Sequence, residues 1–441
     1  MNEAMDVGLK IRNVAGGISS LDYARHDDSR VVPQGIDGGA IDEFEDGTPD
    51  ESAMCLVCPH ESCGGCADRE TSYAEQLTVK DAVVRTLMEA MGLADVYLGI
   101  TAGSKLTAYR NKMDYTFGDE FKGGPLTLGM HRRKSFMSVV TTSACRLVHE
   151  DFNKLLVATL GFCTQNGYAA YNKKSHKGLL RNLILRRGVR TNELLVNIVT
   201  SSQGFFDEAA YLETVLGLPL ENGVCGVLRT VNDNVADFIY PEEIHVLAGR
   251  DYYMEDVLDL KFKVNAFSFF QTNVEAAERL YVEALDWIDD LTAKSVHDLY
   301  CGAGTISQVL ARRADAVVGV EISADAVGDA IANARMNGLE NCRFVRGDVL
   351  ETLERIRAGS MPAPDILVVD PPRAGIHPRA LRAITEIGTR EMVYISCNPK
   401  SCAENLKVLQ EAYNVTRFKA FDNFPFTGHV EAAAHLELKR R

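Results

Sequence analysis

Tryptophan occurs once in 441 residues, and no apolar run approaches the roughly 18 to 20 residues that a membrane-crossing helix requires. The segment 1–20 lacks the basic start and apolar stretch of a secretion signal. A cytoplasmic protein without membrane contact is therefore expected. Positive charge is also scarce. Against 61 Asp and Glu stand 47 Lys and Arg, for a net charge of -14, which excludes a uniformly basic nucleic-acid binder. The chain is not poor in apolar residues, at 46%, so a wholly disordered protein is excluded as well. Its length suits about two or three domains. Eleven cysteines without an export signal fit metal or redox chemistry better than a disulfide framework.

The average charge conceals an asymmetry. Residues 1–54 hold 12 acidic and 4 basic side chains, whereas residues 101–200 hold 16 basic and 6 acidic ones. A basic middle inside an acidic chain suggests a surface for a polyanion, although the same charges could simply solvate a β-domain. The basic residues include Arg110, Lys112, Arg132, Arg133, Lys134, Arg181, Arg186, Arg187 and Arg190.

Four segments are expected. Residues 1–54, rich in Gly and Asp and without periodicity, read as a flexible acidic tail. Residues 55–97 hold a cysteine-rich knot and a helix beginning near Tyr73. Residues 98–273 read as a β-rich, basic domain, with a hairpin over 183–199 around Arg187-Gly188-Val189-Arg190-Thr191-Asn192. From 274 to 441 the pattern becomes strand, turn, helix, repeated. It ends in two β-rich runs so close together that they must pair antiparallel, so the expected fold is α/β, a doubly wound sheet with a terminal antiparallel hairpin.

Chemistry-bearing residues fall at the strand ends of this last segment. Asp298-Leu299-Tyr300-Cys301-Gly302-Ala303-Gly304-Thr305 follows the first strand, where open α/β sheets bind ligands. A dinucleotide fingerprint would need another glycine where Ser307 stands. Glu321 closes the second strand, suited to two ribose hydroxyls, and Asp348 closes the third, within reach of an adenine amine. Loop, acid and second acid at successive strand ends fit S-adenosylmethionine better than a nicotinamide. Asp370-Pro371-Pro372-Arg373 and Ser396-Cys397-Asn398-Pro399 close the fourth and fifth strands. Cys397 sits among polar turn residues, where a thiolate is available for nucleophilic attack. The final strand begins at His429-Val430-Glu431.

Together with Cys58-Pro59-His60-Glu61-Ser62-Cys63-Gly64-Gly65-Cys66, Tyr109-Arg110-Asn111-Lys112 and Ser268-Phe269-Phe270-Gln271-Thr272-Asn273, these motifs resemble the RNA uracil-5-methyltransferases that use S-adenosylmethionine and carry an iron-sulfur cluster. The resemblance covers roughly residues 58–438. It implies a class I methyltransferase sheet and an enzyme that methylates C5 of a uridine in RNA. It implies Cys397 as the nucleophile on C6 and Glu431 as the base that removes the C5 proton. It implies cofactor contacts at Gln271, Tyr300, Thr305, Glu321 and Asp348, with Asp370 on the cofactor or the base edge, and support of the target base by Phe269 and Phe270. The substrate implied is 23S ribosomal RNA, with transfer RNA as the alternative, and a monomer is expected. A different class, a non-catalytic iron-sulfur RNA-binding protein, would have no need of both nucleophile and base.

The resemblance also implies a 4Fe-4S cluster on Cys58, Cys63, Cys66 and Cys145. The family pattern has one more residue between its first two ligands, which leaves Cys55 as a substitute. A four-cysteine zinc knot on Cys55, Cys58, Cys63 and Cys66 has equally suitable spacing. Some members begin with a β-barrel RNA-binding module, for which residues 1–54 are too short and too acidic. The metal alternatives separate experimentally. Anaerobically purified protein is expected to be brown, with about four irons per chain. Colourless protein with a single zinc, unaffected by Cys145→Ser, would select the knot instead.

Overall fold

The computed structural model describes residues 10–13, 59–66, 71–235 and 239–440. Cys55, Cys58 and most of the expected acidic tail lie outside the described residues. Within that tail, Lys10–Asn13 is a strand, β1, which departs from the expectation of a flexible segment. Helix α1 (Tyr73–Ala90) starts where Ser72 and Glu75 cap each other's backbone, a capping box that satisfies otherwise orphaned N–H groups.

The strands that follow are β2 (Tyr97–Thr101), β3 (Lys112–Gly118), β4 (Thr127–His131) and β5 (Val139–Thr141). Then come α2 (Glu150–Gln165), β6 (Leu180–Gly188), β7 (Glu193–Thr200), α3 (Glu208–Leu216), β8 (Gly223–Val231) and β9 (Glu243–Gly249). All these strands except β2 form one sheet, ordered β1-β9-β8-β7-β6-β3-β4-β5. The hairpin read from 183–199 is β6–β7, turning through Asn192 at a left-handed φ of 55°. Alternation along these strands divides the two faces. Leu183, Leu185, Leu194, Val196 and Ile198 pack under α2 and α3. Leu195, Leu228 and Ile244 face a second hairpin, β10 (Tyr252–Val257) and β11 (Leu260–Asn265). Burial on both faces explains why β7 reads as a nearly unbroken apolar run.

The remaining chain alternates α4 (Val274–Leu285), β12 (Ser295–Leu299), α5 (Thr305–Ala311), β13 (Ala316–Glu321), α6 (Ala324–Met336), β14 (Cys342–Arg346), α7 (Val349–Arg357), β15 (Ile366–Val369), α8 (Pro378–Ile387), β16 (Glu391–Ser396), α9 (Pro399–Leu409), β17 (Tyr413–Phe421) and β18 (Glu431–Leu438). Their sheet runs β14-β13-β12-β15-β16-β18-β17-β2. The first five strands are parallel and β18 enters antiparallel between β16 and β17, which is the doubly wound sheet with a terminal hairpin. Helices α4, α5 and α6 cover one face, and α1, α7, α8 and α9 the other. Strand order reverses between β12 and β15, so a crevice opens at their carboxyl ends. One assignment changes: β2, expected in the central β-rich domain, instead extends this second sheet by pairing parallel with β17. No helix among the described residues is long and apolar enough to cross a membrane.

The β10–β11 hairpin joins the two sheets. Asn333 on the last turn of α6 and Asn337, its C-cap, behave as an extra strand along the free edge of β11. Their side-chain oxygens accept from the Lys263 and Lys261 N–H groups, each at 2.8 Å, and their amides donate to the same residues' carbonyls at 3.3 and 2.9 Å. On the other side, buried Glu255 of β10 accepts from the Val189 and Arg190 N–H groups at 2.7 and 3.1 Å. Arg190 in turn pairs with Glu278 of α4.

Several basic residues read as a polyanion surface therefore serve the fold. Arg181 is buried, donates to the Asn232 carbonyl at 2.8 Å and lies over the Tyr171 ring. Arg186 is 2% exposed and donates to the Ser268 carbonyl at 2.7 Å. Arg187 is half-buried and donates to Asn222 at 2.9 Å. Arg132, Arg133 and Lys134 remain exposed. The latch to β11 is the more testable feature. Replacing buried Asn333 by Leu removes both hydrogen bonds and leaves the Lys263 peptide unpaired, an expected loss of about 1–3 kcal/mol measured by urea unfolding. Unchanged stability would mean that the edge of β11 needs no partner.

Candidate active site

The residues singled out at separate strand ends line one cavity of about 1680 Å³. Gln271, Tyr300, Thr305, Glu321, Asp348, Asp370, Cys397 and Glu431 all contribute to its wall. Its floor begins at the turn after β12, where Tyr300 adopts a left-handed φ of 66° and Gly302 and Gly304 follow at 53° and 78°. A side chain at Gly304 would strike the Phe344 ring at 2.6 Å, whereas one at Gly302 would meet open space, so the loop is tight on one side and accessible on the other. Glu321 holds this loop by accepting from the Gly302 N–H at 3.2 Å, and it also accepts from the Ser323 N–H at 2.9 Å. Asp298, fully buried, accepts from the Ser307 hydroxyl at 2.5 Å, and burial pushes its carboxyl up to about 7. Ser307, noted for the glycine it replaces, is thus the partner of that acid. Asp348 is the N-cap of α7 and uses one oxygen on the Leu350 and Glu351 N–H groups.

The opposite wall is set by strand register. Ser396 lies opposite Ala432 in the β16–β18 pair, so the next positions outward are Cys397 and Glu431. Directly opposed antiparallel residues have Cα atoms about 4.5–5.5 Å apart. Asp370 follows the end of β15, the strand on the other side of β16. The turns carrying these groups are tied together. Asn398 and Ser401 both donate to the Arg373 carbonyl, at 3.2 and 3.1 Å, and the Asn398 N–H donates to the Ser396 hydroxyl at 3.1 Å. Arg373 itself meets His429 Nδ1 at 2.9 Å.

Electrostatics among the site's own residues favour protonated forms. Burial, with Asp370 nearby, pushes Glu431 up to about 8, and burial pushes Asp370 up to about 6. Burial, followed by the charges of Glu431 and Asp370, raises the Cys397 thiol, while Arg373 opposes the shift. Cys397, Asp370 and Glu431 thus crowd a site in which desolvation penalises each anion.

The loop after β11 closes the cavity, and it is positioned from the central sheet. The Asn111 amide donates to the Gln271 carbonyl at 3.0 Å, the Asn111 N–H to the Thr272 carbonyl at 2.9 Å, and Ser268 donates to Asp329 at 2.5 Å. The expected aromatic pair is divided. Phe270 is buried against Phe262, whereas Phe269 stands 75% exposed at the cavity wall. Sequence reasoning missed Tyr281, a buried residue of α4 that lines the cavity beside Gln271, Asp370 and Glu431. It lies on an apolar helical face with Ala277, Leu280 and Ala284, so nothing in its spacing separates it from core. Arg110 lies over the Phe424 ring, at 5.6 Å, on the same wall.

Of the cysteines assigned to a metal, Cys63, Cys66 and Cys145 are described. Cys66 and Cys145 pack with Tyr73, Tyr109, Leu147 and Phe426, and Cys63 and Cys145 both adjoin Tyr115. The backbone of Cys145 is fixed by Asn153, which accepts from its N–H at 3.0 Å and donates to its carbonyl at 3.2 Å. Among the described residues no group of three or more His, Cys, Asp or Glu side chains is arranged to hold a metal ion.

Comparison with known proteins agrees with this geometry. The family described as tRNA (Uracil-5-)-methyltransferase matches residues 246–439. An RNA methyltransferase of Caldanaerobacter subterraneus, named as uncharacterized, is 43% identical over 86% of this chain and 84% of its own length. One of Clostridium tetani, also named as uncharacterized, is 40% identical over 86% and 82%. The solved tRNA (uracil-54, C5)-methyltransferase of Pyrococcus abyssi, in complex with S-adenosyl-L-homocysteine, superposes with a TM-score of 0.70 at 26% identity, covering 85% of this chain and 86% of that one.

The charge pattern around Cys397 has a measurable sign. Glu431→Gln removes a neighbouring anion and should move alkylation of Cys397 by iodoacetamide to lower pH, whereas Arg373→Ala removes the opposing cation and should move it to higher pH. Following the Cys397 peptide by mass spectrometry gives both midpoints, and shifts of the same sign would refute the coupling.

Proposed function

The chain belongs to the RNA uracil-5-methyltransferase family and is an S-adenosylmethionine-dependent enzyme; from that premise we propose that it methylates C5 of a uridine in 23S ribosomal RNA through a covalent adduct of Cys397 with C6. The observation that carries the reading is the β16–β18 register, which opposes a thiol and a carboxyl in the wall of one cavity. C5 of uracil is too weak a nucleophile to take the methyl group unaided. The Cys397 thiolate adds to C6, and the electrons of the C5–C6 double bond move to make an enolate. C5 then gains the methyl group that the sulfonium donor supplies. Glu431 removes the C5 proton, the double bond reforms, and the sulfur–C6 bond breaks to return the thiolate.

The lowered acidities of Cys397 and Glu431 suit this order. A cation bound in the cavity favours the anionic forms of Cys397 and Glu431, so nucleophile and base ionise when the positively charged donor is present. Glu321 and Asp348 are suited to the ribose and adenine of that donor, the open side of Gly302 admits its backbone approach, and Gln271, Tyr300 and Thr305 line the same space. Asp370 is assigned to the donor or to the base edge. Exposed Phe269 is assigned to support of the uracil, which must leave its stack to reach Cys397.

For the cluster, the thiols of Cys63, Cys66 and Cys145 are a suitable soft donor set. They adjoin Tyr109 and Tyr115, and the hydroxyl of Tyr115 is buried without a hydrogen-bond partner among the described residues. We assign Cys58 as the fourth ligand of a 4Fe-4S cluster that would fasten residues 59–66 to the central sheet. The domain division at 55, 98 and 274 is proposed with one amendment, that β2 serves the methyltransferase sheet. A second reading, transfer RNA as substrate, is favoured by the likeness to the Pyrococcus abyssi enzyme.

Two variants test the chemistry. Cys397→Ala should abolish methyl transfer and leave S-adenosylmethionine affinity nearly unchanged. Glu431→Gln should accumulate a protein–RNA adduct, visible as a retarded band on a denaturing gel, because addition and methylation precede its step. Turnover by Cys397→Ala would refute the nucleophile. Mapping 5-methyluridine in 23S ribosomal and transfer RNA from cells lacking the gene decides between the substrates.

A further inference from the structure

The turn between β4 and β5 serves neither core. Phe136 is 89% exposed and Met137 53% exposed at its tip, flanked by exposed Arg132 and Lys134. Arg132 and Lys134 make no ion pair among the described residues. The turn is nevertheless ordered. Lys134 takes a left-handed φ of 61°, the Ser135 N–H donates to the Arg132 carbonyl at 2.9 Å, and the Ser135 hydroxyl accepts from the Met137 and Ser138 N–H groups at 3.3 and 3.1 Å. It is also anchored from outside. Its flank pairs with the cysteine segment, Gly64 N–H to the His131 carbonyl at 3.0 Å and Arg133 N–H to the Ser62 carbonyl at 2.8 Å, and the Arg133 guanidinium donates to the Cys66 carbonyl at 2.6 Å. Cys66 packs with Tyr109 and Phe426, next to the Phe424 that lines the cavity.

An exposed aromatic ring and two exposed cations on one ordered turn suit a single nucleic-acid strand, in which a flat base alternates with a phosphate. A duplex hides its base faces, so the ring favours an unpaired strand. We propose that this turn is a second RNA contact outside the cavity, in which Phe136 stacks on an unpaired base while Arg132 and Lys134 take the adjacent phosphates. It rests on the reading of the protein as an RNA methyltransferase and adds a site that holds the strand beyond the reacting uridine. Arg133 acts from behind, fixing the turn to the cysteine segment.

Stacking and charge leave different signatures. Phe136→Ala should weaken binding of a short labelled oligouridylate by about 5- to 100-fold, the range for one lost base–aromatic stack, with the salt dependence unchanged. Joint replacement of Arg132 and Lys134 by Ala should weaken binding and lower the slope of log affinity on log salt by about 0.7 for each lost phosphate contact. Affinity for a duplex of equal length should be little affected by Phe136→Ala. In methyl transfer to unmodified transcripts, both variants should raise KM for RNA and leave kcat and S-adenosylmethionine affinity as in the parent protein. A parent protein that methylates no uridine overturns the enzymatic reading. An active parent whose Phe136→Ala variant binds oligouridylate equally well overturns this proposal alone and turns the patch toward a protein partner.

Discussion

What the cavity offers chemically depends on β18 entering the sheet antiparallel to β16 with Ser396 opposite Ala432. Because side chains alternate with a period of two, a slip of one residue would turn Glu431 to the other face and separate it from Cys397. The register is held by burial, since Ala432, Ala433, Ala434 and Leu436 are all fully enclosed between β16 and β17. The run of alanines suits a strand whose neighbours carry large side chains, as where Tyr394 and Phe418 both stand beside Ala434. Core packing thus fixes the distance between two reactive groups that themselves contribute nothing to the core.

The same enclosure creates the electrostatic problem that the site must solve. Asp298, Asp370 and Glu431 are carboxyls held in low dielectric, each with its ionisation opposed mainly by desolvation. Arg373 is the cation that lowers both Cys397 and Glu431, and its side chain is held at the rim by His429, where burial and neighbouring cations lower the imidazole's affinity for a proton. A neutral His429 accepts from Arg373 and does not repel it. The pocket is accordingly arranged for a positively charged ligand, with carboxyls on several walls and the Arg373 guanidinium compensating beside Cys397 and Glu431.

Much of the second sheet was legible because its signals are local. Parallel strands buried on both faces are short apolar runs, and each ends in a polar motif that must lie at the same edge. The terminal hairpin followed from the short connection between its strands. What escaped was decided by tertiary contact. Nothing near Tyr97–Thr101 specifies pairing with a strand that begins at Tyr413. Nor does the charge of Arg181 and Arg186 reveal that each is buried on a backbone carbonyl. Asp348 was read for a ligand alone, although a carboxylate just before a helix is also its natural cap. Tyr281 was invisible for the opposite reason, since its spacing is that of any core residue.

The pairing of β2 with β17 also orders events during synthesis. Tyr97 leaves the ribosome more than three hundred residues before its partner Phe418. Helix α1 and β2 must therefore remain undocked while both sheets assemble, with the apolar faces of Val84, Met88 and Tyr97 uncovered until the last strands emerge. The central sheet has no such delay, because its strands from β3 to β9 pair within a continuous stretch of chain. The central sheet can thus pair its strands from β3 to β9 before β17 and β18, which complete the second sheet beside β2, have been made.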